Sequence, residues 1–399
     1  MDEHGNPYRP GAGTRPPLLA GRDDLLHAFE VAVRRALRGQ PGQSLVATGL
    51  RGVGKTVLLL ECLRIAEAAR CTVVQIESSE GGAFVVQLGQ ALRKVLLRLD
   101  SGPASRAVNR ALKVLKSFSL TEPHGFKLAI DLEPEAGASD SGELDLDLAD
   151  LFEAAAEAAR DRKTAIVIAI DEIQYLNPSE FGALIAANHR TVQRDLPLVL
   201  VGAGLPQLPA LAGEAKSYAE RLFTFPRIGA LDRASADEAV VAPARDLGVT
   251  FSREALDRIY ERSSGYPYFL QEFAYATWNA ALGPERIELA DVEHAEGIVE
   301  KKLDENFFAV RVEQLANAER DYVQAMAQLG DGPYRSAEIA DAMSKTLQGV
   351  ATLREGLIAK GMIFSPRLGE LEFSVPLFAE FLRRNPLEKR GRARRRGSN

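Results

Sequence analysis

Residues 49–56, Gly49-Leu50-Arg51-Gly52-Val53-Gly54-Lys55-Thr56, fit the pattern GxxxxGK[ST] at every required position. Closely spaced glycines let successive backbone N–H groups turn inward around an anion, and a helix starting at Lys55 adds the positive end of its dipole. Lys55 is then placed to reach terminal phosphates, and the Thr56 hydroxyl to ligate Mg²⁺. The nucleotide-binding stretch is read as Gly49, Arg51, Gly52, Val53, Gly54, Lys55, Thr56 and Val57. A second pair of chemical groups, Asp171 and Glu172, follows the apolar run 165–170. A run apolar throughout suits a parallel strand covered on both faces, and ligands gather at the carboxyl ends of such strands. Asp171 is therefore read as a metal-binding carboxylate with Thr56, and Glu172 as the group that orients or deprotonates an attacking water. Lys55 is the second catalytic candidate. With no guanine-reading NKxD sequence in the chain, the expected nucleotide is ATP with Mg²⁺.

Elements must carry these groups to one place. Residues 44–48 read as a strand entering the glycine-rich turn and 55–69 as the helix leaving it. Strands at 71–76, 165–170, 198–201 and 223–225 alternate with helices at 23–38, 83–99, 148–160 (Asp147 as its N-cap) and 179–193. That alternation predicts a parallel α/β sheet. Residues 101–146 are less regular; Phe126 to Leu132 alternates in the manner of a strand, so a hairpin-like insertion is expected there. After residue 231 the strand signal fades into helices at 234–247, 252–263, 267–281 and 291–308. Three helices (316–329, 336–343, 347–360) and two short strands around Gly369 then follow the order of a winged helix. The expected domains are a flexible leader 1–17, an ATPase core 18–232, a helical lid 233–310, a winged helix 311–382 and a basic tail 383–399.

Composition narrows the class. The chain has 399 residues, 46% apolar and 26% charged, too long for one core. No run approaches the roughly 20 apolar residues needed to span a bilayer, and the first residues lack the apolar stretch of a signal peptide. Cys62 and Cys71 have no metal-ligand spacing and read as reduced core thiols. A cytoplasmic protein without a membrane span is expected. Net charge is −6, yet residues 383–399 hold eight basic residues against one acidic, which leaves −13 for residues 1–382. Such a segregated basic block suits nucleic acid, an anionic surface or a solubilising end.

Taken in order, these features resemble AAA+-type P-loop ATPases of the origin-recognition and STAND-related branch. The resemblance covers roughly residues 16–382. It rests on Leu18-Leu19-Ala20-Gly21-Arg22, similar to the box that lies against the adenine, on the two motifs above, on Leu200-Val201-Gly202-Ala203-Gly204 at the first-sensor position, and on Gly265-Tyr266-Pro267 opening a lid helix. It implies an α/β P-loop sheet with a helical lid and a C-terminal winged helix. It also implies nucleotide contacts from Leu19, Arg22 and Pro267, and an arginine finger at Arg221 acting in trans within an oligomer, with Arg190 and Arg194 as weaker candidates. This sequence departs from the pattern at both sensors: no polar side chain ends the strand before Gln207, and the lid turn offers Tyr266 and Pro267 in place of arginine. Each lost contact is expected to slow turnover by ~10²-fold.

Two outputs compete. In the first, nucleotide state is coupled to duplex DNA through Gln348, Thr352 and Arg354 on helix 347–360, Arg367 on the wing, and the basic tail, with Leu347, Val350, Leu353 and Leu357 facing the core. In the second, a STAND-like switch uses the winged helix to govern lid closure and binds a protein partner without DNA. A small-molecule phosphotransferase fits less well, because such enzymes rarely carry either Glu172 or a winged helix.

Overall fold

Strands that are buried on both faces need helices above and below them, and residues 11–239 supply them. The computed structural model describes residues 1–387 apart from 12, 102–104, 122–131 and 284. In chain order this first unit contains α1 (Asp23–Ala36), β1 (Ser44–Thr48), α2 (Lys55–Ala68), β2 (Thr72–Glu77), α3 (Phe84–Asp100), α4 (Arg106–Thr121), α5 (Leu144–Asp161) and β3 (Ile166–Asp171). After β3 come a 3₁₀ turn (Ile173–Tyr175), α6 (Pro178–Gln193), β4 (Leu198–Gly204), α7 (Leu208–Ala215), α8 (Ala219–Leu222) and β5 (Phe223–Thr224). The strands form one parallel sheet in the order β2-β3-β4-β1-β5. The fold is the α/β P-loop NTPase sheet that the sequence predicts.

The order places β4 between the strand that feeds the glycine-rich loop and the strand that ends in Asp171. Every residue of β1, β3 and β4 is buried. Alternate positions of β3 (Ile166, Ile168, Ile170) and Leu198 and Leu200 of β4 feed one core with α3 to α6. α6 starts on a capping box in which Asn177 and Glu180 each accept the other's backbone N–H.

The insertion differs from its expectation. Residues 106–121 form a helix, α4, whose Val108, Leu112, Leu115 and Phe118 are wholly or almost wholly buried. Spaced three to four apart, these side chains make one stripe, worth roughly 1.5–3 kcal/mol each on burial. The strand expected from Phe126 to Leu132 falls almost entirely outside the described residues. α5 starts at Leu144, four residues before its expected start at Leu148, so Asp147 lies inside the helix and is not its N-cap. Its carboxylate accepts instead from the backbone N–H of Ser141 and Gly142 and from the Ser141 hydroxyl.

The second compact unit comprises residues 1–10 and those from 240 onward. α9 (Arg233–Arg245) runs from the first unit into it, followed by β6 (Thr250–Phe251), α10 (Arg253–Ser263), α11 (Pro267–Ala280), β7 (Arg286–Ile287) and α12 (Leu289–Leu303). α12 ends in a π turn, Asp304–Phe308, leading to α13 (Ala309–Glu313) and α14 (Asn317–Gln328). β8 (Tyr334–Arg335), α15 (Ser336–Ala342), α16 (Leu347–Ala359), β9 (Ile363–Phe364), β10 (Glu370–Phe373) and α17 (Phe378–Arg384) complete it. β10 lies antiparallel between β8 and β9.

An aromatic chain runs through this unit. Tyr268 stacks on Phe307 at 5.0 Å between ring centres, Phe307 meets Phe308 at 5.1 Å, and Phe308 stacks on Phe381 at 5.0 Å. Phe308 also meets Phe378 at 5.9 Å; Phe378 meets Phe373 at 5.4 Å, and Phe373 meets Tyr334 at 5.6 Å. The leader, expected to be flexible, is docked in its first ten residues. Tyr8 is buried against Trp278, its hydroxyl donating to the Val240 carbonyl at 2.6 Å, and the Asn6 amide donates to Tyr275 and Asn279. The expected basic tail lies largely outside the described residues. Among those described, no helix is long and apolar enough to cross a membrane.

Candidate functional site: a phosphate loop at the sheet's carboxyl edge

β1 delivers the loop and two glycines shape it for different reasons. Gly49 sits where a Cβ would come within 2.3 Å of the Ile228 carbonyl. Its N–H donates to the Gly204 carbonyl at 3.1 Å, which ties the start of the loop to the end of β4. Gly54 has φ +90 and free space around its would-be Cβ, so backbone conformation selects glycine there. It is the N-cap of α2.

Lys55 is almost fully buried, and its ammonium donates to the carbonyls of Gly49 (3.0 Å) and Leu50 (2.9 Å). Burial pushes its pKa down, while the nearby charges of Glu172 and Asp171 pull it back up. The Thr56 hydroxyl donates to Asp171 Oδ2 at 2.6 Å, bridging 115 residues of sequence. Burial raises the Asp171 pKa, and the Thr56 hydrogen bond works against that rise. Two oxygens held this close, beside a buried ammonium at a helix N-terminus, fit a phosphate bound with a hard cation such as Mg²⁺. Val53 is fully buried, so only its backbone can face a ligand; Arg51, Thr56 and Val57 are half-buried.

Glu172 adopts a left-handed backbone, φ 53, uncommon for a residue with a side chain. Its N–H donates to Asp171 Oδ1 at 2.9 Å. The 3₁₀ turn that follows makes contacts the sequence did not reveal. Gln174 donates from Nε2 to the Glu172 carboxylate and accepts at Oε1 from the Leu205 N–H at 3.1 Å. Arg51 Nη2 donates to the Tyr175 hydroxyl at 2.9 Å, joining the loop to the same turn. Gly13 also lies close by: a Cβ there would touch Thr56 at 3.5 Å. The only sequence signal for Gln174 was the missing polar residue on β4.

Arg22, expected at the adenine, is buried, with its guanidinium donating to the carbonyls of Gly21, Val53 and Gly229. It ties the loop at Val53 to Gly21 and Gly229, and burial lowers its pKa. Leu19 is half-buried. Pro267 belongs to the second unit, where it opens α11. Arg221 is exposed on α8. Arg190 is ion-paired with Asp150 and Glu153, and Arg194 with Glu153, so neither is a free cation. On α16, Gln348 and Thr352 are exposed and Arg354 is half-buried beside Tyr322. Val350 and Leu357 are buried as expected and Leu353 partly so, but Leu347 is 51% exposed. Cys62 and Cys71 are free and buried, the Cys62 thiol pushed up to about 12 by burial.

Residues 18–201 match the family described as the AAA ATPase domain, and residues 305–382 match a domain of unknown function, DUF8462. No curated protein matches the chain. Among solved structures, the Walker-type ATPase PABY2304 of Pyrococcus abyssi is similar at TM-score 0.53 and 17% identity, covering 94% of this chain and 98% of that one. The RuvB Holliday junction branch migration motor of Thermotoga maritima gives a TM-score of 0.45 at 15% identity, covering 93% and 99%. The Orc1 protein of Aeropyrum pernix in complex with DNA gives 0.44 at 16% identity, covering 93% and 94%. The buried lysine, the Thr56–Asp171 pair and the sheet order agree with that match: residues 18–201 have the character of an AAA-type P-loop ATPase domain.

Proposed function

We propose that the chain is a slow, ATP-hydrolysing molecular switch whose nucleotide state governs what its C-terminal module binds. The observation that carries this reading is the convergence of Lys55, Thr56, Asp171 and Glu172 at the carboxyl edge of one sheet. The loop N–H groups and Lys55 bind and orient the phosphates. Thr56 and Asp171 would hold Mg²⁺, which would neutralise phosphate charge. Glu172 orients the water and accepts its proton. Arg221 is the residue we assign to act in trans if subunits assemble.

The order helix, strand, helix, helix, strand, strand over residues 317–373 supports reading the C-terminal module as a winged helix. The outward face of α16 supports a protein partner over duplex DNA. Its exposed residues include Leu347, Gln348, Thr352 and Glu355, while Arg354 is half-buried and Lys360 is paired with Glu319 at 2.6 Å. A duplex reader needs cations there for phosphate contacts. The DNA-coupled reading keeps support from exposed Arg335 and Arg367 and from the basic residues after 383.

The test is ATP turnover at low salt, with and without duplex DNA, for wild type, Lys55→Ala and Glu172→Gln. Slow turnover indifferent to DNA and lost in both variants is expected. Stimulation by DNA would put the second reading first, and undiminished turnover in both variants would remove the ATPase assignment.

A further inference from the structure

Resting on the hydrolytic reading above, we propose that Gln174 is the positioning residue of this site, supplying from the turn after Glu172 the polar group that the end of β4 lacks. The two glycines of β4 carry the argument. A Cβ at Gly202 would come within 2.3 Å of Ile173 Cδ1, and one at Gly204 within 2.5 Å of Gln174 Oε1. The strand end is bare because the side chains of residues 173 and 174 occupy its side-chain positions. Gln174 thereby brings an amide to the strand lying between β1 and β3, beside the carbonyl that receives the Gly49 N–H.

Both ends of that amide are committed. The Leu205 N–H is a donor and can only face the amide oxygen, so the amide nitrogen is the end that faces Glu172. The Glu172 carboxylate is thus held from β4 by a bridge one residue wide. Its own backbone lies in a left-handed conformation that persists only when its surroundings hold it. Any displacement of β4 relative to the loop is passed to Glu172 through this amide.

The experiment uses the full chain and compares wild type, Gln174→Met, Glu172→Gln and the double variant. Methionine keeps the length of the side chain without its donor and acceptor. kcat, the equilibrium affinity for ATP·Mg²⁺, and hydrogen exchange at the Leu205 amide without nucleotide are measured. Gln174→Met is expected to lower kcat by about 10²-fold, the scale of a roughly 1 Å misplacement, with ATP affinity unchanged and the Leu205 amide exchanging faster. Because Gln174 acts through Glu172, the double variant should be no slower than Glu172→Gln alone. Wild-type kcat in Gln174→Met, ATP affinity falling in step with kcat, unaltered exchange at Leu205, or additive losses would each overturn the role. Wild-type turnover in Glu172→Gln would instead overturn the hydrolytic reading itself, and the two failures are therefore distinct.

Discussion

Gly49→Ala and Gly54→Ala should be unequal, and the structure says by how much. At Gly49 the added methyl meets a backbone carbonyl, Ile228 O, at 2.3 Å, so about 1 Å of movement is needed to reach ordinary contact at 3.4 Å. Neither side yields cheaply. The Ile228 N–H donates to Thr48 O at 2.7 Å, the Thr48 N–H to Pro226 O at 2.8 Å, and the Gly49 N–H to Gly204 O at 3.1 Å. Overpacking costs about 1–3 kcal/mol, and weakening one or two of these hydrogen bonds adds about 0.5–1.5 kcal/mol each. Gly49→Ala is therefore expected to lose about 3 kcal/mol. At Gly54 nothing obstructs a Cβ, and the left-handed backbone alone costs about 1–2 kcal/mol. Thermal unfolding without nucleotide measures both: for a unit of this size about 6–12 °C is expected for Gly49→Ala and about 2–8 °C for Gly54→Ala. If Gly54→Ala is the more damaging, or Gly49→Ala lies within about 1 kcal/mol of wild type, the steric reasoning is wrong.

Asp171→Asn should make the nucleotide-free chain more stable at pH 7 while weakening Mg²⁺-dependent ATP binding. Folding raises the Asp171 pKa, so the folded chain binds the proton more tightly and this group's contribution to stability falls as pH rises. Unfolding at a series of pH values should show the gap between variant and wild type narrowing as pH falls toward the ordinary carboxylate range. Tyr8→Phe should cost about 0.5–1.5 kcal/mol in urea unfolding, because the buried hydroxyl's hydrogen bond to the Val240 carbonyl is lost; an unchanged midpoint would return the leader to a passive role. Arg22→Met should cost about 2–4 kcal/mol by stripping three carbonyls of a charged donor, with a smaller effect on adenine selectivity than on stability in nucleotide-competition assays.

The motifs were legible because their chemistry fixes residue type and spacing together: Lys55 and Thr56 beside the glycines, and Asp171 after a strand buried on both faces. What sequence could not give was where long polar side chains end. Arg22 donates to three backbone carbonyls, of Gly21, Val53 and Gly229, that only the fold brings together. Gln174 gains its position from two glycines some thirty residues later. The leader's Pro, Gly and Arg content looks unstructured, but one tyrosine and one asparagine find partners more than 230 residues away. α4 did carry a helical stripe, and its short polar interruptions hid it. β8 is two residues long and is specified by pairing with β10 rather than by any local pattern.

The rings from Tyr268 to Tyr334 have a mechanical consequence. Face-to-face and edge-to-face contacts, each worth about 0.5–1.5 kcal/mol beyond burial, bolt the first turn of α11 to the π turn, the π turn to α17, and α17 to the three-stranded sheet. A segment braced this way resists bending at each of these contacts. A tilt imposed at Pro267 therefore reaches the far sheet as rotation of one stiff lever, and not as a softened local rearrangement.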